Sequence, residues 1–241
     1  MPPTPQPNEN HHIKIHLHTH LLLKDSKAME QITIIGSGNM ARSIAVRMIS
    51  ARHSVQILGR NGEKTRELVE FLGAGAQGGG EGAVVEGGIV FLAVPFAEAK
   101  KSVIFYGDAL AGRVVVDICN PVDLATFDSL VTPVGTSAAE EIALHTTADA
   151  FVVKAFNTCF AKPLELGSVA RVPLDVFIAG DSEQAKLKVS SVVAASGLRP
   201  IDVGPLRRAR DLEAMMLLVM ALQVSPAHEN FNWDTSLNLL P

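Results

Sequence analysis

Thirteen residues, Ile32-Thr-Ile-Ile-Gly-Ser-Gly-Asn-Met-Ala-Arg-Ser-Ile44, constrain this chain more than any other stretch. A run rich in β-branched side chains (Ile32 to Ile35) enters Gly36-x-Gly38-x-x-Ala41, and an amphipathic segment follows. Strand, tight turn and helix in that order is the setting in which a glycine-rich turn binds a dinucleotide. Gly36 permits the sharp turn, Gly38 keeps a Cβ away from a pyrophosphate, and Ala41 lets helix and strand pack closely. The unpaired N–H groups around Asn39 and Met40, at the positive end of the helix dipole, would then face the phosphates.

The second strand–helix unit bears on which nucleotide is bound. Ser54 to Leu58 reads as a strand, followed by Gly59-Arg60-Asn61-Gly62-Glu63-Lys64. An acid about 20 residues past the glycines usually holds the ribose 2′-hydroxyl of NAD. No acid stands at this strand end; Arg60 and Lys64 can instead meet a 2′-phosphate, Arg60 as a planar fork and Lys64 as a point charge. NADP(H) is therefore expected over NAD(H).

Alternating strand and helix patterns continue to the end of the regular part, which predicts an α/β protein: a doubly wound parallel sheet with a small C-terminal α/β extension. The expected division is a disordered tail over 1–28, a nucleotide-binding domain over 29–159 and the extension over 160–241. Predicted helices cover Asn39 to Ala51, Gly62 to Leu72, Phe96 to Leu110, Thr136 to Leu144, Ser182 to Ala195 and Pro205 to Gln223. Predicted strands include Gly88 to Val94, Arg113 to Ile118, Phe151 to Phe156, Asp175 to Ala179 and Leu198 to Asp202; Gly73 to Gly82 reads as a weak strand or a loop. Ligands of such sheets sit beyond the carboxyl ends of the strands. That singles out Val94-Pro95, Cys119-Asn120-Pro121 and Asn157 to Ala161.

Composition narrows the partners. A chain of 241 residues that is 47% apolar can bury one sizeable core. A net charge of −4 with interspersed signs gives no basis for expecting nucleic acid or an anionic membrane as partner. The apolar run Ala214 to Leu222 is about half a bilayer span, so a cytoplasmic protein is expected. Two cysteines make neither a disulfide framework nor a zinc site. Five of the eight histidines crowd into His11 to His20, but without acids or thiols beside them no metal site is assigned.

Taken together, Ile34 to Met40, Gly59-Arg60 with Lys64, Val94-Pro95, Val153-Lys-Ala-Phe-Asn157 and Gly204-Pro-Leu-Arg-Arg-Ala-Arg210-Asp-Leu-Glu213 resemble the NADP oxidoreductases that use the deazaflavin coenzyme F-420. The same pieces are similar to the cytosolic NADPH-binding domain of the six-transmembrane metalloreductases. The resemblance implies that Ser37, Gly38, Asn39 and Met40 hold the pyrophosphate. Gly59, Arg60 and Lys64 would hold the 2′-phosphate, and Val94, Asn120 and Ala161 would lie along the nicotinamide. It also implies hydride exchange between NADP(H) and a deazaflavin or flavin-type acceptor, chemistry that needs stacking and distance more than proton transfer. No residue is assigned a catalytic proton. An imine or pyrroline carboxylate-type reductase and a non-catalytic NADPH-sensing module stay open as alternatives.

Several side chains have two readings. Lys154 either pairs with a core carboxylate or points to an interface, Arg210 and Glu213 are spaced for an intrahelical ion pair, and Cys119 and Cys159 are either buried thiols or neighbours of the nicotinamide. The apolar residues Phe231, Trp233, Leu237, Leu239 and Leu240 are expected either to make a homodimer, to close the acceptor pocket, or to pack on the chain's own core.

Overall fold

The computed structural model describes residues 29–240, so the expected tail and its histidines lie outside the described residues. One eight-stranded sheet runs through the chain in the order β10-β9-β6-β5-β4-β1-β2-β3. Its strands are β1 (Gln31–Ile35), β2 (Ser54–Gly59), β3 (Ala76–Gly80), β4 (Ile89–Leu92), β5 (Val114–Asp117), β6 (Phe151–Lys154), β9 (Asp175–Gly180) and β10 (Arg199–Gly204). A short hairpin, β7 (Ser168–Val169) and β8 (Val172–Pro173), stands apart. The helices are α1 (Asn39–Ser50), α2 (Gly62–Leu72), α3 (Phe96–Tyr106), α4 (Ala138–Ala143), α5 (Ala161–Leu166), α6 (Glu183–Ala195) and α7 (Ala209–Val224).

The six strands β3-β2-β1-β4-β5-β6 are all parallel, the doubly wound order of a Rossmann fold. Strands β4, β5 and most of β6 are buried on both faces, as their continuous apolar runs require. The extension continues this sheet: β9 joins β6 in the antiparallel sense through Val153↔Gly180 and Lys154↔Ala179, and β10 runs parallel to β9. One apolar layer packs α1, α5 and α6 on one face; the other face is covered by α3, α4 and the start of α7. Phe91 of β4 and Phe156 meet edge to face, 5.5 Å between centroids.

Local differences from the sequence expectations have local causes. The expected Thr136–Leu144 helix is shorter because Ser137 is its cap: Ser137 Oγ accepts from Glu140 N (3.2 Å) and donates to Glu140 Oε2 (2.8 Å), a capping box. The Phe96–Leu110 helix stops at Tyr106, where Gly107 takes φ +43° and a 3₁₀ turn follows. The Pro205–Gln223 segment opens with a 3₁₀ turn (Leu206–Arg208) before α7. The glycine-rich stretch does form β3, held by its pairing with β2 from Val55↔Ala76 to Gly59↔Gly80. A Cβ at Gly78 would lie 3.1 Å from the Val69 side chain of α2, so close helix–strand packing favours glycine there.

The sheet's register places Ile35, Leu92, Asp117 and Lys154 in one row at the carboxyl ends of β1, β4, β5 and β6. That row is the floor of the region in which ligands of this architecture bind. Among the described residues, no helix is long and apolar enough to cross a membrane.

Candidate functional site

The turn after β1 has the geometry that its glycines imply. Gly36 adopts φ +123°, and a Cβ on it would stand 2.3 Å from the carbonyl oxygen of Ala93. Gly36 N donates to Leu58 O (2.8 Å), which ties the turn to β2. Gly38 is the N-cap of α1 in an extended conformation, φ −89° and ψ −173°, and among the described residues no atom beyond its two chain neighbours lies within 4 Å of where its Cβ would be. Among the described residues no side chain caps this helix, so its first-turn N–H groups are left without a capping partner. Open space, donor N–H groups and a helix dipole at one point suit a pyrophosphate.

Beyond β2, Gly59 has no room for a side chain, since a Cβ would meet Thr65 Oγ1 at 2.3 Å. Asn61 Oδ1 accepts from Lys64 N at 3.0 Å and caps α2. This cap orients the first turn of α2, from which the exposed Lys64 side chain projects. Arg60 forms an ion pair with Glu98 of α3, Nη1 to Oε2 2.5 Å. Glu98 also accepts from Lys101 at 2.8 Å, and that bond, with the Arg60 charge, keeps its carboxyl below the usual range against the effect of burial.

A cleft of about 880 Å³ opens here. Gly36, Ser37, Gly59 and Arg60 line one side, and Val94, Glu98, Lys101, Phe105 and Tyr106 the other. Five of the twelve candidate residues, Gly36, Ser37, Gly59, Arg60 and Val94, thus share one cavity. Gly38, Asn39 and Met40 begin α1 beside it, Lys64 lies on α2, and Pro95 caps α3. Asn120 and Ala161 stand beyond β5 and β6, outside this cleft's lining.

Asn120 and Asn157 hold one another: Asn120 Nδ2 donates to Asn157 O (2.7 Å) and Asn157 Nδ2 to Asn120 Oδ1 (3.1 Å). Phe156, just before, takes φ +62°, an uncommon value for a large side chain. Asn157 Oδ1 and Thr158 Oγ1 are buried with no partner among the described residues.

Cys119 and Cys159 are free and buried. Burial pushes the Cys159 thiol up to about 12, and burial with the nearby Asp117 carboxylate raises Cys119 well above an ordinary thiol. Both are therefore protonated near neutral pH, and neither is poised as a nucleophile.

The ion pair expected within α7 is absent. Arg210 instead reaches Glu140 with two bonds of 2.8 and 2.6 Å, and Glu213 turns inward to Lys154. Lys154 is fully buried; its ammonium lies 2.8 Å from Asp117 Oδ2, 2.7 Å from Glu213 Oε1 and 2.5 Å from Cys119 O. Burial opposes its charge, but Asp117 and Glu213 outweigh that and raise its pKa. Glu213 Oε2 accepts from Ala138 N (3.0 Å), which ties α7 to the start of α4. This cluster clamps helices to the sheet beneath the site, out of reach of a ligand.

The profile of a family described as NADP oxidoreductase coenzyme F420-dependent matches residues 31–121. That match spans β1 through β5. An F420-dependent NADP reductase from Methanocaldococcus jannaschii is 28% identical over 205 residues, covering 78% of this chain and 90% of the archaeal one. Metalloreductase STEAP3 from Rattus norvegicus is 35% identical over 198 residues, 80% of this chain. The chain spans only 38% of that metalloreductase's length. Among solved structures, a putative F420-dependent NADP-reductase from Arthrobacter sp. FB24 superposes with a TM-score of 0.72 at 25% identity, covering 84% of this chain and 96% of the other. The chain is thus a relative of NADP-dependent oxidoreductases, and the similarity continues past β5 into the extension.

Glu98, Lys101 and Tyr106 of the cleft escaped the sequence reading. The signal that could have found them is positional: α3 follows β4, the strand beside β1, so its first turns border the same cleft.

Proposed function

We propose that the chain is an NADP(H)-dependent oxidoreductase that passes hydride between the nicotinamide and a deazaflavin or flavin-type ring. The observation that carries this is the pairing of the open, uncapped turn at Gly38 with Arg60 and Lys64 at an acid-free β2 end. Gly36 shapes the turn, and Ser37, Gly38, Asn39 and Met40 hold the pyrophosphate. Gly59, Arg60 and Lys64 receive the 2′-phosphate, while Val94, Pro95, Asn120 and Ala161 border the nicotinamide. When bound, the dinucleotide supplies the hydride, and the chain's part is to orient and shield the two rings. Cys119 and Cys159 are buried, protonated thiols and Lys154 is enclosed by Asp117 and Glu213, so none of these three is offered as a proton donor, which favours ring-to-ring hydride transfer over imine reduction. Anaerobic mixing with NADPH and a panel of deazaflavin, flavins and cyclic imines tests this. Oxidation of NADPH by a deazaflavin or flavin alone is expected; turnover only with an imine, or tight binding without turnover, would overturn the acceptor.

Replacing Arg60 and Lys64 together by alanine is expected to weaken NADPH binding by about 1.5–3 kcal/mol, the loss of two charge-assisted contacts. NADH binding should stay within twofold. Equal losses for both nucleotides in titration calorimetry would remove the 2′-phosphate from these residues.

The C-terminal residues fold back on their own chain. Trp233 N and Thr235 Oγ1 both donate to Gln223 Oε1, and Leu237 joins Phe177, Ile201 and Met215 in a small cluster. Leu239 N donates to Asp175 Oδ2 (2.7 Å). The Trp233 ring meets Phe160 edge to face at 5.3 Å, directly before Ala161. We infer that this strap borders the acceptor. Deleting 230–241 should raise the acceptor KM about tenfold, as for the loss of one aromatic stacking surface, with NADPH affinity unchanged. Unchanged acceptor kinetics would make the strap a purely structural belt.

A further inference from the structure

The cleft carries an acid for which the 2′-phosphate reading has no use. Glu98 lies in the first turn of α3, across the cleft from the end of β2. Its carboxylate is shared between two cations from different elements: Oε2 with Arg60 and Oε1 with Lys101, the latter one helical turn along α3. The ion pair with Arg60 therefore bridges the cleft between β2 and α3. Glu81 adds a second acid to the same lining, so the cavity is not the strongly cationic pocket that Arg60 and Lys64 alone would make.

A guanidinium engaged by a carboxylate presents less net charge to a second anion, and a phosphate approaching it meets that carboxylate at contact distance. A 2′-phosphate must displace Glu98 from Arg60 or share the guanidinium against its repulsion. Lys101 provides the carboxylate with a resting place once Arg60 leaves. A ribose 2′-hydroxyl is neutral and requires no such exchange.

We propose that Glu98 is a specificity-determining residue, a latch that holds Arg60 across the cleft and competes with a nucleotide 2′-phosphate for it. The inference rests on the NADP(H) reading above and refines it: the chain discriminates between NADPH and NADH less than Arg60 and Lys64 would allow by themselves.

Titration calorimetry on the full chain, with NADPH and NADH as separate probes, tests the latch. In Glu98→Gln, which keeps the size of the side chain and removes its charge, the Kd for NADPH should fall about tenfold, the scale of one charge-assisted contact. The Kd for NADH should move less than twofold. Glu98→Ala should shift NADPH in the same direction, guarding against an effect peculiar to glutamine. In an Arg60→Ala background, Glu98→Gln should change NADPH binding less than twofold. Unchanged or weakened NADPH binding in Glu98→Gln, or a full gain in the Arg60→Ala background, would overturn the latch alone. An unsubstituted chain that binds neither nucleotide would overturn the NADP(H) reading and the latch with it.

Discussion

Lys154→Met is expected to destabilise the protein by about 3–5 kcal/mol, the cost of removing one partner from a buried charge cluster. For a chain of this size that is a fall in Tm of about 6–20 °C. The ammonium is the sole cation bonded to Asp117 and Glu213 among the described residues, and all three side chains are almost wholly buried. Methionine fills the space but leaves two carboxylates facing one another without a counter-charge. Burial already raises the Glu213 carboxyl, an effect that Lys154 opposes. Without Lys154 that rise becomes larger, so the folded variant binds protons more readily than its unfolded chain. Its stability should then fall as pH rises through the carboxylate range and recover as pH is lowered toward 5. Adding Glu213→Gln to Lys154→Met should restore part of the loss at neutral pH. Thermal melts from pH 5 to 8 check this, and a Tm within about 2 °C of the parent at pH 7, under roughly 1 kcal/mol, would show that the cluster does not clamp the sheet.

How much of this was legible in the chain depended on how local the determinants are. The turn from Gly36 to Ala41 is specified within six residues, and its conformation agrees with the sequence reading. Strands β4 and β5 were equally plain, because strands buried on both faces are written as continuous apolar runs. Strand β3 was not, since Ala76-Gln-Gly-Gly-Gly80 has no strand preference of its own and depends on β2 for pairing and on α2 for packing. The partners of Arg210 and Glu213 were misread for the same reason. Spacing of three along a helix favours a local pair, but the true partners, Glu140 and Lys154, lie 70 and 59 positions away. Helix α5 and the β7–β8 hairpin, too short to build up a periodic signal, went unseen. Candidate residues next to a strand end could be found by position directly, whereas Glu98 needed a second step: that β4 lies beside β1, so that α3 after it packs against Ile35 and Leu58 and borders the same cleft.

Gly38→Val is expected to abolish measurable NADPH binding, a loss of more than about 3 kcal/mol or roughly a hundredfold, while leaving the fold intact. The two glycines of the turn do different work, and the structure separates them. Gly36 is required by the chain itself: its φ of +123° and the 2.3 Å approach of a Cβ to Ala93 O make any side chain there destabilising in the free protein. Gly38 has an ordinary extended backbone and, among the described residues beyond its chain neighbours, nothing within 4 Å of its missing Cβ. Its lack of a side chain thus answers no need of the folded chain, and the void it leaves lies in front of the uncapped N–H groups of α1. A valine there would keep the backbone and occupy the volume through which a pyrophosphate must approach those donors. The cost in stability should be limited to a poorer N-cap, about 1 kcal/mol and therefore about 2–4 °C in Tm. Gly36→Ala should show the reverse order, with stability falling first and binding falling with it. Calorimetric titration beside a thermal melt on each variant checks the pair. Full NADPH affinity in a folded Gly38→Val protein would move the pyrophosphate away from this turn and take the dinucleotide reading of the site with it.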